Sequence, residues 1–156
     1  MAYDQRRGGG PRRDDRRDER RDAPPPLDTS GIVLKPPGGG PLNPTLFDEI
    51  AAGVAKTLAG NGDRNKPAQI RQFYDELVMW EEKVQQSPDR FAEFLPFVRM
   101  LNAKAAYALG RRHVDDNFLK FIGDCVRQVD NPATLRNFKL FFEAFLGFYK
   151  LERPSG

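Results

Sequence analysis

The stretch Asn131-Pro132-Ala133-Thr134-Leu135-Arg136-Asn137-Phe138-Lys139-Leu140-Phe141-Phe142-Glu143-Ala144-Phe145-Leu146-Gly147-Phe148-Tyr149-Lys150-Leu151 decides the fold. Asn131 is an N-cap residue, and Pro132 after it suits the first helical position, where no N–H is needed. Leu135, Phe138, Phe141, Phe142, Phe145, Leu146, Phe148 and Tyr149 then recur at helical spacing. A helix this apolar must be buried on most of its surface, so the rest of the chain has to supply a coat.

The same punctuation recurs upstream. A fourth helix is expected near Asp115–Val129, with the stripe Phe118, Leu119, Ile122, Cys125, Val126 and Val129. Ser87-Pro88 opens a third region, where Phe91, Phe94 and Leu95 make a short apolar turn. Pro96 is expected to kink or break it, and helix resumes to about Arg112. A second helix runs from Lys66-Pro67 to about Gln86, with Ile70, Phe73, Leu77, Val78 and Val84 on one face and Tyr74 and Trp80 at its margins. Asn43-Pro44 opens the first, whose face is Leu46, Phe47, Ile50, Val54 and Leu58. Gly60-Asn61-Gly62 stops it. No segment alternates with period two, and there is no internal repeat. The expected fold class is all-α, a compact bundle of about five helices.

The ends differ in kind from this middle. All twelve Phe lie within residues 43–151. Residues 1–42 are rich in Arg, Asp, Gly and Pro, and read as a disordered tail or linker around one apolar patch, Ile32-Val33-Leu34, which could dock on a neighbour. Residues 152–156 read as a C-terminal tail. The net charge is +3, a mild bias. Met1–Pro26 contributes eight Arg against six acids, so any phosphate-binding face in the bundle must come from local clustering.

Reactive groups are scarce. There is one histidine, His113, and one cysteine, Cys125 on an apolar stripe. His113 with Asp115 and Asp116 lacks the spacing of a metal site. Gly8-Gly9-Gly10 and Gly38-Gly39-Gly40 precede no Lys-Ser/Thr and are not phosphate loops. No catalytic residue, metal or cofactor is expected. A polar N-terminus, a single cysteine and no apolar run of about 20 residues point to a cytoplasmic protein that does not enter a membrane.

What remains is basic and aromatic patterning. Lys104, Tyr107 and Arg111 share a helix face, with Arg112 alongside and small Ala103, Ala105 and Ala106 nearby. Arg136, Lys139 and Lys150 share another, interrupted by Glu143. Lys66, Gln69 and Arg71 crowd the start of the second helix, near Arg64, where cations oppose the helix dipole and an anion would be welcome.

Three segments, in order, resemble a known family. Lys66-Pro67-Ala68-Gln69-Ile70-Arg71-Gln72-Phe73-Tyr74-Asp75-Glu76 is similar to the opening of the helical region in the small subunit of type III-A CRISPR (Csm) effector complexes. Leu101-Asn102-Ala103-Lys104-Ala105-Ala106-Tyr107-Ala108-Leu109-Gly110-Arg111 resembles that family's Lys-x-x-Tyr-x-x-Gly-Arg stretch. Phe142-Glu143-Ala144-Phe145-Leu146-Gly147-Phe148-Tyr149-Lys150 resembles its terminal segment. The resemblance implies a five-helix protein without a catalytic site. It implies self-association into an inner filament beside the backbone subunits and the large palm-domain subunit, cradling guide RNA and target RNA. Matched to these motifs, the candidate RNA-binding residues are Lys104, Tyr107, Arg111, Gln69 and Arg71. Arg112, Lys66, Arg136 and Lys139 join them from the charge pattern alone. The alternative is a protein–protein adaptor bundle that does not touch nucleic acid, which the near-neutral middle of the chain favours.

Overall fold

A computed structural model describes residues 24–154. The described residues form five α-helices and no strand: α1 Ala51–Ala59, α2 Pro67–Gln86, α3 Phe91–Gly110, α4 Asp116–Arg127 and α5 Pro132–Glu152. α5 is the spine, with α1 and α2 packed against it, while α3 lies against both α2 and α4.

The helix starts follow the local chemistry. Asn131 and Thr134 form a reciprocal capping box at α5, and the Asp115 side chain accepts from the Phe118 N–H at 3.0 Å to cap α4. Asn43 accepts from the Thr45 N–H at 2.9 Å. The chain then enters α1 through a π turn, Leu46–Ile50. The extra residue in that turn rotates Phe47 off the expected apolar face, leaving it 36 % exposed, and Ala51 and Ala55 are buried instead.

Pro96 does not break α3, which continues through it to Gly110. It lies only in the second turn, so one early carbonyl, that of exposed Ala92, loses its donor and faces water. The buried face of α3 is Val98, Leu101, Ala105 and Ala108, with Leu109 only half buried.

Phe121, outside the stripe read from sequence, is the centre of the core. Its ring lies 6.1 Å from Phe118, 5.9 Å from Phe141, 5.4 Å from Phe142 and 5.2 Å from Phe145. Tyr149 stacks on Phe145 at 5.1 Å. Tilted and edge-on pairs of this kind add about 0.5–1.5 kcal/mol each beyond area burial. Cys125 is fully buried, and burial pushes its thiol far above the ordinary cysteine range.

The reading of residues 1–42 as a tail is corrected for its second half; residues 1–23 lie outside the described residues. Leu27, Ile32 and Leu34 are buried in the core. This strap crosses α4 and the start of α5, held by side chains rather than by a strand partner. Gln128 donates to the Ile32 carbonyl at 2.7 Å and accepts from the Leu34 N–H at 2.7 Å. Asn117 accepts from the Leu27 N–H at 2.9 Å, and Asn137 donates to the Leu34 carbonyl at 3.0 Å. Three buried apolar side chains and the hydrogen bonds to their backbone oppose the entropy of ordering the segment. The C-terminal boundary also moves: Glu152 is helical, and the Arg153 guanidinium donates to the carbonyls of Arg64 at 2.7 Å and Asn65 at 3.0 Å.

Candidate nucleic-acid interface

α2 and α3 form an antiparallel hairpin whose outer seam opens into a groove of about 420 Å³. Gln69, Gln72 and Glu76 project into it from α2. Lys104, Tyr107 and Arg111 project from α3, at the i, i+3 and i+7 positions that put them on one face. Four sequence-predicted residues therefore meet here: Gln69, Lys104, Tyr107 and Arg111. Tyr107 is 67 % exposed, and the Arg111 guanidinium sits 5.8 Å from the centre of its ring. A flat ring backed by a cation offers a stacking surface for a base.

Lys104 is not a free cation. Its Nζ meets the Glu76 carboxylate across the hairpin. Both partners reach solvent, so the pair is worth at most about 1 kcal/mol to the fold, and a phosphate can compete for the ammonium.

The end of the groove is fixed by an unusual turn. The His113 N–H donates to the Ala108 carbonyl at 2.9 Å and the Arg112 N–H to the Leu109 carbonyl at 2.9 Å. That bonding pattern is a Schellman motif, whose left-handed position is normally glycine. Here Arg112 occupies it, with φ of 62°, and its side chain is exposed beside Arg111. A residue with a Cβ is strained there by about 1 kcal/mol or more.

The turn is fastened from below by Asn65, a residue absent from the sequence reading. Asn65 is fully buried with φ of 54°. Its N–H donates to the His113 carbonyl at 2.9 Å, and its Oδ1 accepts from the Asp115 N–H at 2.9 Å. Its Nδ2 donates to the Leu58 carbonyl at 3.1 Å. Its own carbonyl accepts from the Tyr149 hydroxyl and from Arg153. One side chain and its peptide thus join the end of α1, the α3–α4 turn and the end of α5. Only the position before Lys66-Pro67, where helix is disfavoured, hinted at this in the sequence.

The other candidates lie elsewhere. Arg71 is on a different face of α2 from Gln69: it pairs with Asp75 at 3.1 Å and lies 5.4 Å from the centre of the Tyr74 ring. Lys139 pairs with Glu143 at 3.5 Å. Burial raises the Tyr74 hydroxyl above the ordinary tyrosine value, Glu143 adds to this, and Lys139 and Arg71 oppose it. These side chains therefore form a second, mixed-charge cluster across α2 and α5. Lys66 is exposed at the mouth of α2, and Arg136 is exposed on the first turns of α5. Neither lines the α2–α3 groove.

The same hairpin face turns apolar toward its closed end. Trp80 stacks on Phe97 at 5.3 Å, and Phe97 and Met100 are 50 % and 49 % exposed. Among the described residues the buried Trp80 indole N–H meets no acceptor. Among the described residues no cluster of three His, Cys, Asp or Glu could hold a metal ion, and no helix is long and apolar enough to cross a membrane.

A protein-family model described as Csm2 Type III-A matches residues 42–155. No curated protein and no solved structure matches the chain.

Proposed function

This chain belongs to the Csm2 type III-A family, the small subunit of the type III-A CRISPR (Csm) complex, and from that premise we propose that it is a non-catalytic, cytoplasmic subunit that cradles RNA. In this reading copies stack as an inner filament beside the backbone subunits and the large palm-domain subunit, and the hairpin face of α2 and α3 meets the guide RNA–target RNA duplex. The observation that carries the reading is the meeting of Gln69, Lys104, Tyr107 and Arg111 in one open groove. Two cations two helical turns apart, about 10 Å, with an exposed ring between them suit a strand's phosphates and one base. The apolar end of the same face supports protein contact beside the RNA: Phe97 and Met100 are half exposed on a continuous patch with Trp80. A subunit that stacks must present such a surface.

The test is a salt titration of RNA binding with Lys104→Ala/Arg111→Ala. Binding is expected to be indifferent to base sequence, and the double variant to reduce the log–log salt slope by about 0.7 to 1.4, one or two phosphates on a single strand. Removal of Lys104 leaves the Glu76 carboxylate partly open to solvent and not buried alone, so the fold is expected to survive. A folded variant with unchanged RNA affinity removes this groove from the RNA path.

A further inference from the structure

α3 has a second flank. Between α3 and α4 runs another open groove, of about 510 Å³, lined by Arg99, Ala103 and Ala106 from one helix and by Lys120, Gly123 and Arg127 from the other. Ala103 and Ala106 are exposed. Gly123 is buried under the Asn102 amide, whose oxygen would lie 3.2 Å from any Cβ placed there. The waist of the groove is therefore built from small residues, with cations at both ends. Lys120 and Arg127 are seven residues apart on α4, about 10 Å.

The pairing of these cations differs from that of the first groove. Lys120 Nζ donates to the Leu27 carbonyl at 2.8 Å, and Arg99 donates to the Val129 carbonyl at 3.4 Å. Among the described residues neither forms an ion pair with a carboxylate; the Ser30 hydrogen bonds and, more weakly, the Lys120 charge hold the exposed Asp28 carboxyl of the strap below its ordinary range. Arg127 pairs with Asp124, an acid that itself lines the groove and also accepts from the Thr29 hydroxyl of the strap. In the α2–α3 groove, by contrast, Glu76 neutralises Lys104. The flank absent from the sequence-derived residues is thus the more positive one.

We infer that the α3–α4 groove is a second phosphate track, which binds the sugar–phosphate backbone of an RNA strand through Lys120 at one end and Arg99 and Arg127 at the other. The ligand class rests on the function proposed above; the site does not. A protein partner would need an apolar anchor, and this groove offers only half-buried Leu119 as a large apolar residue and no aromatic side chain. A polyanion with a repeating charge needs only separated cations and a floor that its backbone can approach. With both flanks occupied, α3 becomes a ridge between two contacts, and the bundle holds RNA without base readout.

The experiment uses the full chain, a fluorescein-labelled oligo-uridine RNA and anisotropy across a salt series. Ala103→Glu places a carboxylate on the floor, one helical turn from Arg99, and removes no contact. Glutamate is a good helix former, so melting is expected to be unchanged. Affinity is expected to fall about tenfold or more at low salt, while the neutral, similarly sized Ala103→Gln falls much less. Arg99→Gln/Lys120→Gln is expected to reduce the salt slope by about 1.4, the value for two phosphates. Combined with Lys104→Ala/Arg111→Ala, the losses are expected to multiply, as for independent contacts. If Ala103→Glu binds as the wild type does while Lys104→Ala/Arg111→Ala is weakened, the second track is wrong and the first groove stands. If Ala103→Glu is weakened and the first-groove variant is not, the RNA path runs along α4 alone. If the wild-type chain binds no RNA even at low salt, the RNA reading fails and the track fails with it.

Discussion

Asn65→Ala tests whether one buried amide holds three helix ends together. The substitution removes two side-chain hydrogen bonds, to the Leu58 carbonyl and from the Asp115 N–H. Both backbone groups belong to buried residues, with Leu58 at 0 % and Asp115 at 7 % exposure. An unsatisfied buried group costs about 1–3 kcal/mol, so the pair costs about 2–6. Alanine at a φ of 54° adds about 1 kcal/mol of backbone strain. The expected loss is therefore about 3–7 kcal/mol, a large share of the stability of a small domain. In thermal melts followed by circular dichroism it should appear as a drop of roughly 10–25 °C. Asn65→Gly separates the two causes: it relieves the strain but restores neither bond, and is expected to recover only about 1 kcal/mol. Asn65→Asp keeps the acceptor but turns an oxygen toward the Leu58 carbonyl, and is expected to be at least as damaging as alanine. An alanine variant melting within about 3 °C of the wild type would refute the reasoning, because water would then have replaced both bonds.

Arg112→Gly should raise the melting temperature by a few degrees, through relief of about 1 kcal/mol of strain at the Schellman position, while weakening RNA binding if the guanidinium contacts phosphate. Burial raises the Tyr149 hydroxyl above 10.0, with Arg153 partly opposing. A raised folded value means that its contribution is intact below the unfolded pKa and lost as pH rises through the folded one. Melts of the wild type should accordingly fall on the alkaline side, and Tyr149→Phe should flatten that limb at a cost of about 1 kcal/mol near neutrality. A chain starting at residue 24 should melt as the full chain does, whereas one starting at residue 36 loses Leu27, Ile32 and Leu34 and should melt about 10 °C lower.

Five helices were legible because their starts are written locally. Asn131, Asp115 and the Lys66-Pro67 step act within three or four residues of themselves, and the apolar period does the rest. The strap was not legible, for the opposite reason. Ile32-Val33-Leu34 was visible as an apolar patch between proline runs. Its partners, Gln128 and Asn137, lie 94 to 103 residues away in the chain, and no local signal names them. Phe121 sits three residues after Phe118, yet no local pattern marks it as the centre of the core. Its centrality comes from Phe141, Phe142 and Phe145 converging on it from α5, a consequence of how two helices cross.

The candidate site divides along the same line. Helical spacing alone placed Lys104, Tyr107 and Arg111 on one face of α3. Spacing says nothing about what faces that face, and the answer is Glu76, 28 residues earlier, on the other arm of the hairpin. A basic residue counts toward a phosphate surface only after its carboxylate partners are subtracted. Those partners are set by helix packing and not by sequence distance. The subtraction removes Arg71 to Asp75 and Lys139 to Glu143, and reduces Lys104. Of the cations that line the two grooves beside α3, it leaves Arg111, Arg99 and Lys120 without an ion pair among the described residues. Two of these three never stood out in the sequence, because each sits alone among apolar and acidic neighbours. The near-neutral charge of the bundle, which favoured a simple adaptor, is therefore compatible with two positive flanks on α3, since the acids are spent on particular cations.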